Sequence, residues 1–417
     1  MMSESPQKKL LAPGPAPAEH AVAGFSASQE QIDTFRKQGY MVLRGVLEPA
    51  RDLKPLEDAY ARLTDELVEW VMGDLGHTAL QGYETMDFPN RFASLIGITR
   101  GGVFNHIGPS LSVYEWGYRR WSTAPSAQPT ELFDLERNPR ILDAIEELIG
   151  SEIWVSPAYH VNMKLGTRHQ QQVHRAESDA KNSGLKLPRV VQTGPFNQDF
   201  QMGETRWHMD AYPGQGHEFQ HQYIIAWVPV TAATVENGAL MVLPGSHLDG
   251  YRDFPDERED EAIALETEPG DIVIMDGKLF HKSTRNRTEN SYRLAFNMRY
   301  APIGYPCGRC FLPGFVGRSR KEPDTELHDA ELWRACWDQA LDFLYRYEVP
   351  APHIELTVAQ VNRVQKRWKK RITRQLDWLQ LQDHGNFLKS LRTQLFRATG
   401  FVRYYLSRIL GVGRYYR

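Results

Sequence analysis

Three cysteines in 417 residues are too few for a disulfide framework, so a buried core must hold the chain together, in keeping with a reducing compartment. Nowhere do 18 apolar residues run together, which leaves no segment suited to cross a bilayer as a helix. Near the start, Lys8 and Lys9 precede only three apolar residues before proline intervenes, so the core of a signal peptide is missing. From Leu11 to Ala18, proline alternates with small residues and no helix can form, because proline removes donors and glycine adds chain entropy. Residues 1–25 are therefore expected to form a disordered tail, and the protein to be cytoplasmic. No internal repeat is found.

Against these absences stands an ordinary globular composition. Hydrophobic residues make up 41% and charged residues 24%, which excludes the disordered class and predicts a sizeable core. The net charge of −3 conceals an asymmetry. From Val361 to Arg417 there are 14 basic residues against 2 acidic ones, or +12, which leaves the other 360 residues at −15. An acidic body thus carries a basic C-terminal segment.

Ser28-Gln-Glu-Gln31 reads as a capping box opening a helix from Gln29 to Gln38 that stops at Gly39. A strand follows over 40–47, then a helix from about Ala50 to Met72 with an apolar face from Leu53 to Trp70. Residues 73–135 show no sustained period and read as long loops with short elements. Asn138-Pro139 opens a third helix ending at Gly150. The texture then changes to short β-branched and aromatic runs at 153–165, 222–230, 239–243, 271–275 and 292–300, which suggests a sandwich or jelly roll. Beyond Ala301 helical periodicity returns, at 325–347, 357–382 and 387–410.

The chemical signal is Thr205-Arg-Trp-His208-Met-Asp210. A histidine and an acid two apart at a strand end point to one face, because strand side chains alternate with period two. Two ligands leave an iron facial triad incomplete, and His281, in the loop after the buried run from Gly270, is a candidate for the third. Twelve residues on, Arg293 opens a strand whose alternation puts Arg293, Ala295 and Asn297 on one face. An inward arginine is costly unless it meets an anion, and a carboxylate best matches its planar fork.

The run from Phe35 to Leu47, then Trp207-His-Met-Asp210, Trp227-Val-Pro-Val, Glu236-Asn-Gly-Ala-Leu, Leu243-Pro-Gly-Ser-His247, Gly270-Asp271, His281-Lys-Ser283 and Asn286 to Arg293 resembles the phytanoyl-CoA dioxygenase (PhyH) family over roughly residues 30–301. The resemblance implies a mainly β core, a double-stranded β-helix or jelly roll, with N-terminal helices and a helical C-terminal extension. It divides the chain into a tail at 1–25, a dioxygenase domain at 26–301 and a basic helical extension at 302–417. It further implies Fe(II) held by His208, Asp210 and His281, with 2-oxoglutarate as cosubstrate and O2 as oxidant. Arg293 would bind the far carboxylate of 2-oxoglutarate, assisted by Ser283, with Lys164 and Trp227 lining the same pocket. Arg287 is an alternative anchor, and His247 belongs to a structural turn. The implied reaction is oxidation of an aliphatic carbon in a small or lipid-like molecule, with succinate and CO2 as coproducts. In halogenating relatives a small residue replaces the carboxylate, so Asp210 favours hydroxylation, while desaturation, cyclisation and epoxidation stay open. The polar stretch at 166–203 departs from the family and reads as a lid.

Other motifs compete. His217-Glu-Phe-Gln-His221 fits a zinc-peptidase pattern, but a strand context would set its histidines about 13 Å apart, too far to share an ion. Cys307-Gly-Arg-Cys310 lacks a second ligand pair. The basic C-terminal segment, with Trp368 and Trp378 among its lysines and arginines, suits peripheral contact with an anionic membrane surface. No nucleic-acid motif accompanies it. A non-catalytic jelly roll that binds ligands or membranes is the rival to the oxygenase.

Overall fold

A computed structural model describes residues 24–73, 82–108, 126–184, 203–211, 224–250, 254–304 and 312–346. The zinc-peptidase pattern, the paired cysteines and the basic C-terminal segment lie outside these residues. Helix α1 (Gln29–Gln38) starts on the expected capping box, with Ser28 and Gln31 each bonding the other's backbone, and ends at Gly39 in the left-handed region. Strand β1 (Tyr40–Leu43) follows. The long helix predicted next begins as a π turn at Pro49–Leu53 and continues as α2 (Lys54–Gly73), which buries Leu56, Tyr60, Leu63 and Leu67.

The expectation of loops across 73–135 is corrected by three helices, α3 (Phe88–Thr99), α4 (Gly102–Ile107) and α5 (Thr130–Glu136). Their period was hidden for a physical reason. Nearly every residue of α3 from Phe92 to Thr99 is buried, and a helix surrounded by protein has no polar face to alternate with an apolar one. Helix α6 (Pro139–Ile149) is capped by Asn138 as expected. The single strand expected at 153–165 is two, β2 (Glu152–Val155) and β3 (His160–Leu165), broken around Pro157. Where a lid is expected from 166 onward, the described residues form helix α7 (Thr167–Asn182), which packs on α3. Their backbones nearly touch at Gly97, where an added Cβ would lie 2.2 Å from the Val173 carbonyl.

The remaining strands are β4 (Ile224–Pro229), β5 (Leu240–Val242), β6 (Ile263–Leu265), β7 (Ile272–Asp276), β8 (His281–Ser283), β9 (Tyr292–Pro302) and β10 (Phe315–Ser319). They form the expected jelly-roll core as two antiparallel sheets. The larger runs β1-β7-β4-β9-β2-β10, with β3 also on β9, and the smaller runs β6-β5-β8. The large sheet continues past residue 301, because β10 pairs with β2. Beyond it, α8 (Ala330–Arg346) buries Trp333 and Trp337 against Phe133 and Tyr159.

Strand β9 is the axis of this arrangement. Its even residues, Leu294, Phe296, Met298 and Tyr300, join the core beneath the helices. Its odd residues face the interior between the sheets, where Ala295 and Ala301 meet Ile225, Trp227, Val273 and Leu240. Strand β3 follows the same rule, with Val161, Met163 and Leu165 on the helix side and His160, Asn162 and Lys164 on the other. The interior thus carries a polar stripe within an apolar frame.

Candidate metal centre and anion pocket

His208 and His281 are brought together by the backbone itself. They form an isolated antiparallel bridge, with His208 N donating to His281 O at 3.1 Å and His281 N to His208 O at 2.9 Å. The two rings lie 4.3 Å apart, centroid to centroid. Asp210, two residues on, places Oδ1 3.8 Å from Nε2 of His208. One ligand atom from each of the three lies within 4.8 Å of the others, the geometry of a group able to hold a metal ion.

The imidazoles are prepared for that role. Nδ1 of His208 sits 2.8 Å from the Arg206 carbonyl, and Nδ1 of His281 3.0 Å from that of Leu279. Each Nδ1 therefore carries the proton, and each Nε2 keeps its lone pair for a ligand bond. Burial, then the adjacent His281, push His208 down to about 4, so its ring is neutral at physiological pH. For Asp210, burial alone would raise the carboxyl. The Arg299 guanidinium, with His281 and His208, outweighs that and holds it well below the usual carboxylate range. Nη2 of Arg299 lies 2.6 Å from Oδ2 of Asp210, and Nδ2 of Asn297 lies 3.3 Å from the same oxygen. Because a carboxylate only accepts, Asn297 must turn Nδ2 toward it, which leaves its Oδ1 buried with no hydrogen-bond partner among the described residues.

At the other end of the β9 stripe, Arg293 stands opposite Lys164 in the β3–β9 register. Both are only 1% exposed, and neither makes an ion pair with a carboxylate among the described residues. Arg293 donates to the carbonyls of Gly238, at 3.2 and 3.1 Å, and Asn162, at 3.1 Å, and its guanidinium carbon lies 5.6 Å from the Trp227 ring centre. Lys164 donates to the Gly203 carbonyl. Burial brings Arg293 down to about 9, and burial followed by the charge of Arg293 depresses Lys164 well below its usual range. Glu204 alone among the described carboxylates acts in the opposite sense on Lys164, so two desolvated basic groups stand together where an anion could be received. Arg287, the alternative anchor, is exposed.

Ser283 lies on β8, with its hydroxyl 3.1 Å from that of Thr205 and its N–H donating to Thr205 Oγ1 at 2.6 Å. Thr205, Gly238, Asn297 and Arg299 were not singled out by the sequence as site residues. For the last two a signal existed, since Arg299 continues the alternation of Arg293 and Asn297. Gly238, at φ +105°, lets Lys164 and the Thr284 carbonyl approach; a Cβ there would lie 2.9 Å from that oxygen and 3.2 Å from Lys164 Cγ. The Gly270-Asp271 motif has a structural task, as Asp271 accepts from the backbone of Gly45 and Glu268 and from Arg44. His247 also serves the frame, with Nε2 3.2 Å from the Arg36 carbonyl at the end of α1.

Comparison with known proteins places this geometry in context. The family model described as phytanoyl-CoA dioxygenase (PhyH) matches residues 122–295. A dioxygenase of Aspergillus fumigatus, af480, is 42% identical over 65 residues, which cover 15% of this chain and 21% of that protein. A probable phytanoyl-CoA dioxygenase of Caenorhabditis elegans is 24% identical over 189 residues, covering 41% and 50% respectively. The chain thus spans between about a fifth and a half of the length of these relatives. Among solved structures, the non-heme monooxygenase ThoJ aligns with a TM-score of 0.43 at 16% identity, covering 76% of this chain and 98% of that one.

Proposed function

We propose that this chain, which carries a PhyH domain at residues 122–295, is an iron(II)- and 2-oxoglutarate-dependent oxygenase. One observation supports this above all. A group of two histidines and one aspartate shares the polar stripe with a buried cation pair that has no carboxylate partner among the described residues. The donor set fits a borderline divalent ion such as iron(II), which takes imidazole nitrogen and carboxylate oxygen and leaves positions open for other ligands.

In this reading His208, Asp210 and His281 would hold the metal, and Arg293 and Lys164 would hold the far carboxylate of 2-oxoglutarate. Bound iron(II) supplies the activation of dioxygen, coupled to decarboxylation of the cosubstrate to succinate. The carbonyls of Arg206 and Leu279 fix which imidazole nitrogen is available. The bridge between the two histidines fixes the spacing of their rings. Trp227 gives the guanidinium of Arg293 a flat surface, and Gly238 and Asn162 hold its fork in place. Ser283, anchored by Thr205, supports the same pocket. The apolar frame around the stripe limits water near the charged groups, which strengthens each electrostatic contact.

Hydroxylation of an aliphatic carbon in a small or lipid-like substrate is the reaction proposed, because Asp210 supplies the carboxylate ligand. Contact of the basic segment beyond Val361 with an anionic membrane surface is proposed on charge alone. Anaerobic addition of iron(II) and 2-oxoglutarate should produce the weak visible charge-transfer band of the chelate, and His208→Ala and Asp210→Ala should lose it. A wild-type protein that gives no band would sink the reading. Succinate release across a metabolite panel, with product mass showing gain of one oxygen or loss of two hydrogens, would separate hydroxylation from desaturation.

A further inference from the structure

Arg299 occupies an unusual place for a cation. Its side chain is 4% exposed, and it pairs with Asp210, 8% exposed, through the oxygen turned away from His208. The guanidinium is held on its other sides by the Ala158 carbonyl at 2.5 Å and Nδ1 of His160 at 3.2 Å. Asp210 is its only carboxylate partner among the described residues. An ion held on Oδ1 of Asp210 would therefore lie within about 5–6 Å of a fixed positive charge, given ligand bonds of about 2 Å. At that range, in buried surroundings, repulsion of a divalent cation is substantial.

We propose that Arg299 is a built-in counter-ion for Asp210. It takes the metal's electrostatic place while the site is empty, and so makes metal binding depend on a dicarboxylate. The inference rests on the triad being a metal site, as proposed above. Arg299 belongs to the same inner stripe as Arg293 and Lys164, so a divalent cation enters a field of like charge with one carboxylate to receive it. A dianion bound at Arg293 offsets that field. Coupling of this kind is reciprocal, with each ligand raising the affinity of the other by the same factor. Orientation of Asp210 does not depend on Arg299 alone, because Asn297 donates to the same oxygen. Loss of the charge and loss of the carboxylate's position are therefore separable.

The test is calorimetric titration of metal-free, full-length protein with Co(II), in the absence and presence of 2-oxoglutarate. In the wild type, 2-oxoglutarate should tighten Co(II) binding by about tenfold or more. Arg299→Met should tighten Co(II) binding measured alone by about tenfold, and shrink the effect of 2-oxoglutarate. Arg299→Lys, which keeps the charge, should stay near the wild type. Equal or weaker Co(II) binding in a folded Arg299→Met protein, with circular dichroism matching the wild type, overturns the proposal. Should that variant not fold, Arg299→Gln read by the same two titrations takes its place, and a wild-type affinity indifferent to 2-oxoglutarate also overturns the proposal. Wild-type protein that takes up no Co(II) in either condition would instead remove the metal site, and this inference with it.

Discussion

Lys164 and Arg293 stand opposite one another across β3 and β9, two buried cations in register with no carboxylate between them among the described residues. Like charges placed directly across a pair of strands oppose folding, and under the proposed function a bound anion would offset that cost. Replacing Arg293 with Met should lower affinity for 2-oxoglutarate by roughly tenfold to a hundredfold, the scale of a lost charged hydrogen bond. Lys164→Met should act in the same direction. Titration of the Co(II)-loaded protein with 2-oxoglutarate checks both, and unchanged affinity in Arg293→Met would move the anchor elsewhere.

Metal should stabilise the fold through the bridge between His208 and His281. A ligand at a hundred times its dissociation constant contributes about 2.7 kcal/mol, enough to raise Tm by several degrees. Differential scanning calorimetry with Co(II) should show that rise in the wild type and lose it in Asp210→Ala.

The metal-free protein should weaken in acid through His208. Its folded pKa, about 4, lies below the ordinary 6.5, so between those values the unfolded chain binds the extra proton. The corresponding stability is present above pH 6.5 and is lost as pH falls toward 4. Urea unfolding at pH 7 and pH 4.5 should show wild type losing roughly 2 kcal/mol more than His208→Gln, a figure reduced to allow for partial exposure of the ring.

Gly238→Ala should disturb the anion pocket from behind. Its positive φ and the 2.9 Å approach to the Thr284 carbonyl predict a loss of roughly 1–3 kcal/mol. Affinity for 2-oxoglutarate should fall with it, because Lys164 and Arg293 both pack at this residue. An unfolding curve and a 2-oxoglutarate titration that both match the wild type would refute this.

Much of the fold was readable where one face of an element meets water. The capping box at Ser28, the cap at Asn138 and the alternation of β9 each leave a local pattern, and the structure carries all three. Helices α3 and α7 leave no such pattern, for two different reasons. The first is buried almost all round, while the second is so polar that its few buried residues, His169, Val173, Ala176 and Ala180, do not stand out. In the candidate site, His208 and Asp210 announced themselves by spacing, and Arg293 by sitting on an inward face. Arg299 was visible only as another arginine, since its meaning lies in a contact with Asp210 made across 89 positions of chain.

Both ends of the polar stripe hang from one strand, so their placement on the same side depends on the length of that strand. Adding or deleting a single residue between Arg293 and Arg299 would turn every later side chain to the opposite side of the sheet. Arg299 and Asn297 would then point under the helices, and Phe296 and Met298 into the polar interior. Variation among relatives of this chain should accordingly spare the length of β9 and accumulate in the connections around it.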